Sequence, residues 1–152
     1  MITDIDALLY KAEAEYLQQQ DLAKFKSQIF SLEQRLKIYE LLRENEIEIF
    51  QPIANQLLIT FPDENQQKIE QALKHWLSVL RYCGMAMLSN NQTYLQHRIL
   101  EWLPVQIQAH QMESLEHTLF SFLQKRLRKT LSPEQFSLLQ PFLEQAKTTL
   151  LD

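Results

Sequence analysis

At 152 residues with a formal net charge of −4, the chain is sized for one domain that buries about two-thirds of its unfolded surface, and it lacks the basic excess of a dedicated nucleic-acid binder. One glycine and five prolines exclude the glycine-turned crossovers of a parallel α/β fold and the frequent turns of a β-sandwich. Leu, Gln, Glu, Lys and Ala dominate instead, all good helix formers, so the composition predicts an all-α domain.

The first residues, "ITDIDALLYKAEAEYLQQQ", carry Ile2, Ile5, Leu8, Leu9, Ala12 and Tyr16 at helical spacing, with Asp4 and Asp6 near the positive end of the helix dipole. Leu22, Phe25, Ile29, Leu32, Leu36 and Tyr39 then follow the spacing of a heptad seam. That pattern predicts a long helix whose apolar stripe packs against the rest of the chain. Asn45 opens a further helix in which Ile47, Ile49, Phe50, Ile53, Ala54, Leu57 and Leu58 are mostly buried, with Pro52 in its first turns or at a kink. Phe61 and Pro62 close it, and Asp63 is the expected N-cap of the next, which runs to the polar break at 89–91.

A shorter helix is expected over "TYLQHRILEWLP", ending near Pro104. Another carries Leu115, Leu119, Phe122, Leu123 and Leu127 on one stripe. Ser132 to Gln135 reads as a capping box with proline at the first helical position, opening a last helix to about Leu151.

Motifs that carry chemistry are scarce. A single Gly84 cannot build a phosphate loop or a dinucleotide turn, and no Cys-x-x-Cys or His-Glu-x-x-His occurs. Cys83, the one cysteine, excludes an internal disulfide, fits a reducing cytosol, and lies two turns from His75 rather than beside it. His110 and His117 are seven residues apart on one stripe, too far to share a metal. His97 is the nearest candidate for a haem ligand by position, but Gln96 and Arg98 flank it and no distal partner is evident. The expectation is a protein that is not an enzyme. Arg81 interrupts the best apolar run, so no membrane span is expected, and the acidic start lacks the pattern of a signal peptide, which predicts retention in the cytoplasm. The one basic cluster, Lys125, Arg126, Arg128 and Lys129, either complements the C-terminal end of a helix dipole or presents a docking surface for an acidic partner.

"ALKHWLSVLRYCGMAMLSNNQTYLQHRILEWLP" resembles the central region of phycobiliproteins, the globin-like subunits of cyanobacterial and red-algal antennae. Those chains show a cysteine, then Arg-Asp, then Leu-Arg-Tyr, then a break, then Arg-x-Leu-x-Gly-Leu. Leu80-Arg81-Tyr82 matches the middle element, and Arg98 to Leu103 resembles the last, with Trp102 where glycine is usual. Upstream, Leu36, Leu41, Asn45, Ile49, Ala54, Leu57 and Phe61-Pro62 resemble the first two core helices, and the segment from Leu131 to Leu150 resembles the closing helix. The likeness covers nearly the whole chain. It implies a globin-like bundle of about seven helices, with residues 1–19 as an N-terminal helical extension and 20–152 as the core.

The resemblance also implies what is missing. Counting back from Leu80, the thioether-forming cysteine falls at Ala72, and the family's Arg-Asp pair falls at Lys74 and His75. Alanine has no thiol, so no covalent bilin is expected, and Cys83 is too far along the helix to substitute. A tetrapyrrole held without a covalent bond would rely on Lys74, His75 and Arg81. The family pairs its subunits through an aspartate on the N-terminal helix, a place taken here by Lys11 with Glu13 nearby; pairing of two copies is one outcome the resemblance allows.

These readings predict a bilin-free protein-interaction module of a photosynthetic cell. Its partner would be an antenna or photosystem assembly or repair component, reached through Lys11, Glu13 and the basic cluster, and any link to the thylakoid would run through that partner. The alternative is a globin-type carrier or sensor of a bilin, haem or small apolar ligand. Trp76 and Trp102 are candidates both for core filling and for interface anchors.

Overall fold

The computed structural model describes residues 4–109 and 112–152. Ile2 and His110, named above, lie outside them. Among the described residues the chain is helical throughout, without a strand: α1 (Asp4–Ala14), α2 (Gln19–Glu44), α3 (Glu46–Thr60), α4 (Gln66–Ser89), α5 (Gln92–Leu95) running into a π-helical turn (Gln96–Leu100), α6 (Leu103–Ala109), α7 (Glu113–Thr130) and α8 (Pro133–Leu151). This is the globin-like all-α fold that composition and resemblance predict.

The central helix is α4, which packs against α2, α3, α7 and α8. Its inward face presents Ile69, Ala72, Trp76, Val79, Leu80, Cys83 and Met87, all buried, at helical spacing. Asn65 rather than Asp63 caps its start, its side-chain oxygen accepting from the Gln67 backbone N–H at 2.8 Å. It ends on Asn90, which takes the left-handed conformation (φ 51°) that asparagine tolerates at a helix end. The expected box at α8 is present: Gln135 N–H donates to Ser132 Oγ at 3.2 Å and Ser132 N–H to Gln135 Oε1 at 3.0 Å.

Two prolines are accommodated by local chemistry. The helix expected to end near Pro104 ends at the π-helical turn, where the Trp102 indole N–H takes the Arg98 carbonyl at 2.9 Å, and Pro104 itself lies in the first turn of α6. Pro52 sits well inside α3, where it has no N–H to offer the Glu48 carbonyl. Arg126 of α7 supplies the missing donor, Nε to Glu48 O at 3.2 Å.

The larger departure concerns α2. Its heptad stripe was expected to face the core, yet Leu22 (45%), Ile29 (43%), Leu32 (39%) and Leu36 (45%) remain exposed, as does Phe30. The core takes Ile38 and Leu42 instead, and Arg35 on the same side donates to the Leu88 carbonyl at 3.4 Å. At 100° per residue these inward positions sit well over a third of a turn round the helix from the stripe. The stripe is an uncovered seam. Helix α1 folds back beside α2 and buries Leu8, leaving Leu9 and Tyr10 open.

Candidate partner-binding face and the remnant pigment site

The residues expected to hold a tetrapyrrole do not converge. Lys74 and Arg81, seven apart, lie on the exposed α3 side of α4. Lys74 borders a groove floored by Phe50, Ala54, Leu73 and Leu77. Arg81 grips Glu46 at the head of α3 with two hydrogen bonds, Nε to Oε1 at 2.7 Å and an Nη to Oε2 at 3.0 Å. That carboxylate holds the Arg81 pKa above its ordinary value. His75 is turned about 100° round the helix and is buried against α7.

There His75 enters a cluster that the sequence reading missed. Glu116 of α7 has no solvent exposure, and its carboxylate accepts from the Trp76 indole N–H and faces His75 Nδ1 at 3.0 Å. His75 Nε2 lies 2.9 Å from the Gln71 side-chain amide. With Glu116 ionised, His75 donates from Nδ1 and accepts at Nε2, so every polar atom of the ring has a partner. Burial raises the Glu116 pKa, against the opposing pull of the His75 and Trp76 hydrogen bonds. The Trp76 ring packs on Phe120 at 5.1 Å between centroids. This arrangement joins two helices; it leaves His75 no free nitrogen for a ligand.

Ala72, where the pigment-bearing cysteine would fall, is fully buried beneath this cluster's helix, and its methyl group offers no nucleophile. Cys83 is also fully buried, with Sγ 3.6 Å from the Phe142 carbonyl, and burial pushes its thiol pKa far up. His97 lies on the surface paired with Glu101 at 2.9 Å, not over a cavity, and His117 is exposed. No group of three or more His, Cys, Asp or Glu able to hold a metal is found among the described residues.

The residues expected to meet a partner are scattered. Lys11 forms an ion pair with Asp21 at 2.8 Å, tying α1 to α2, while Glu13 is exposed. Asp21 also accepts from the Gln18 backbone N–H at 3.2 Å, and these two contacts, the Lys11 one first, hold its pKa below the usual range. In the basic cluster Lys125, Arg128 and Lys129 are exposed at i, i+3 and i+4 on α7, and Arg126 is half-buried. Lys125 and Lys129 are exposed one turn apart, Arg126 is spent on Glu48, and Arg128 lies over the Phe136 ring at 4.3 Å. The broadest apolar exposure is on the α1–α2 hairpin, which the heptad spacing marks in the sequence without saying which way it turns.

The described residues form a globin-like helical bundle with an N-terminal helix folded back beside α2 and an apolar stripe left exposed on α2. The family model described as Phycobilisome protein matches residues 8–150, and the chain belongs to that family. No curated protein matches it. Among the described residues no helix is long and apolar enough to cross a membrane.

Proposed function

We propose that this phycobilisome-family chain carries no covalent bilin, catalyses no reaction, and works by holding another protein. That protein is an antenna component or a photosystem assembly or repair factor, met in the cytoplasm or at the thylakoid surface. The observation that carries the reading is the exposed heptad stripe of Leu22, Ile29, Leu32 and Leu36. A helix of 26 residues, about 39 Å long, is stabilised by covering such a stripe, and a second helix from outside is what fits an a/d seam. Ala72 supports the bilin-free part, because a thioether needs a thiol. The tetrapyrrole-carrier alternative is weaker, because His75 is committed to Glu116.

The test is purification of a tagged copy from a bilin-producing cyanobacterium beside an Ile29→Glu/Leu32→Glu variant, with visible absorption and mass spectrometry of each. The expected result is a colourless protein that brings down antenna or photosystem subunits, with the variant folded but losing them. A coloured preparation, or subunits retained by the variant, overturns the reading.

A further inference from the structure

Gly84 is the chain's one glycine, and it stands in the interior of α4, where glycine is less favourable than alanine. Neither backbone nor packing requires it. Its φ is not positive, and a Cβ placed there would lie 3.4 Å from Tyr39 Cδ2 and 3.7 Å from Leu42 Cδ1, ordinary contact distances. What the missing methyl leaves is room. A cavity of about 240 Å³ opens between α2 and α4, walled by Tyr39, Leu42, Leu80, Gly84 and Met85.

The mouth of this cavity is charged. Arg43, Arg81 and Glu46 border it. Glu46 and Arg81 satisfy each other. Arg43 is exposed and has no ion pair among the described residues. The site therefore combines apolar walls with one uncompensated guanidinium, whose planar fork matches a carboxylate.

We propose that this cavity binds a small amphipathic monocarboxylate, its aliphatic tail against Leu42, Leu80 and Met85 and its carboxylate on Arg43. The volume corresponds to about eight water molecules, which suits a ligand of roughly ten heavy atoms. The site lies apart from Ala72 and from the His75–Glu116 cluster, so it does not depend on pigment chemistry.

The test is titration of the ¹⁵N-labelled full chain with octanoate, followed by NMR. Because the sequence holds a single glycine, the Gly84 amide is a resolved reporter at the cavity wall. Octanoate is expected to shift it saturably, with a Kd on the order of 0.1–1 mM for a ligand of that size. Octanol should bind several-fold more weakly, and octylammonium more weakly still. Arg43→Gln should reduce octanoate affinity about tenfold while leaving octanol unchanged. Gly84→Ala should keep or raise the Tm and weaken octanoate, read at the Leu80 and Met85 amides.

Absence of saturable shifts up to about 5 mM would overturn the proposal, since binding that weak lies outside the expected range. So would equal shifts by octanol and octanoate with no effect of Arg43→Gln, which would describe an apolar void without anion selectivity. If octanoate fails to bind while Arg43→Gln and Gly84→Ala both release a co-purifying protein, the cavity receives a partner's side chain and the ligand site is wrong.

Discussion

Trp76 and Glu116 meet across the α4–α7 contact, the indole N–H donating to a carboxylate that has no exposure to solvent. His75, the preceding residue on α4, faces the other oxygen at 3.0 Å. Two donors from consecutive residues thus satisfy one buried acceptor group, and the pair of helices is fixed in rotation as well as in spacing.

Removing that acceptor should be costly. Glu116→Ala leaves the Trp76 and His75 N–H groups buried without partners, and a loss of about 3 kcal/mol or more in urea unfolding is expected. Glu116→Gln keeps an acceptor oxygen and should cost about 1–2 kcal/mol. Equal losses for the two variants would show that side-chain volume, not hydrogen bonding, is what matters there.

The same carboxylate gives a pH dependence of defined sign. Burial raises the folded-state pKa of Glu116, so between its unfolded value and that raised value the folded chain holds a proton which the unfolded chain has released. Its contribution to stability is present below the unfolded pKa and is lost as pH rises through the folded one. The stability difference between wild type and Glu116→Gln should therefore narrow as pH is raised from about 4.5. A flat difference, measured by unfolding across that range, would mean that its hydrogen bonds cancel the effect of burial.

Lys11 and Asp21 set how firmly α1 lies on α2. Leu8 is the buried apolar side chain of this eleven-residue helix, and a helix of that length is marginal by itself. Lys11→Glu should speed amide exchange over residues 4–14 without altering α4 or α7, and Lys11→Glu/Asp21→Lys should restore it. Because Asp21 titrates below the usual carboxylate range, the latch contributes above the unfolded aspartate pKa and is lost as pH falls through the folded one.

Pro52 and Arg126 should prove coupled in a double-mutant cycle. Arg126→Ala leaves the Glu48 carbonyl short of a donor and should cost about 0.5–1 kcal/mol. In a Pro52→Ala background the restored backbone N–H can serve that carbonyl, so the same change should cost less. Additive losses would show that Arg126 acts through something other than this carbonyl.

Ala72→Cys should not recover a pigment by itself. The position is fully buried, so the added sulfur is expected to cost about 1 kcal/mol by overpacking, and the variant should remain colourless when bilin is supplied. A thioether-linked chromophore on that variant would mean the pocket opens far more readily than the packing of α4 suggests.

The helices and most of their ends are legible in the sequence because they depend on local chemistry. The Ser132–Gln135 box, the break at Asn90 and the inward face of α4 all follow from a few neighbouring residues. The direction of the α2 stripe is not local. Ile38 and Leu42 form a second apolar row well over a third of a turn away, and only the position of α4 decides which row is covered. Glu116 could have been found: it lies three residues before Leu119 and four before Phe120, on the apolar side of α7. A carboxylate there requires buried donors, but nothing in the spacing identifies His75 and Trp76 as those donors. The engagement of Arg126 is likewise not local, since the demand on it arises from a proline in a different helix.

The two tryptophans occupy opposite surroundings. Trp76 is sealed beside an anionic group and an aromatic ring, while Trp102 keeps 47% of its surface open at the π-helical turn. Their emission should therefore differ in colour and in access to a soluble quencher. A quencher that reaches only Trp102 reports events at the surface, and the unquenched blue component reports the α4–α7 interior. The chain carries its own two-channel optical gauge, able to tell a partner's arrival from the loosening of its core without an added label.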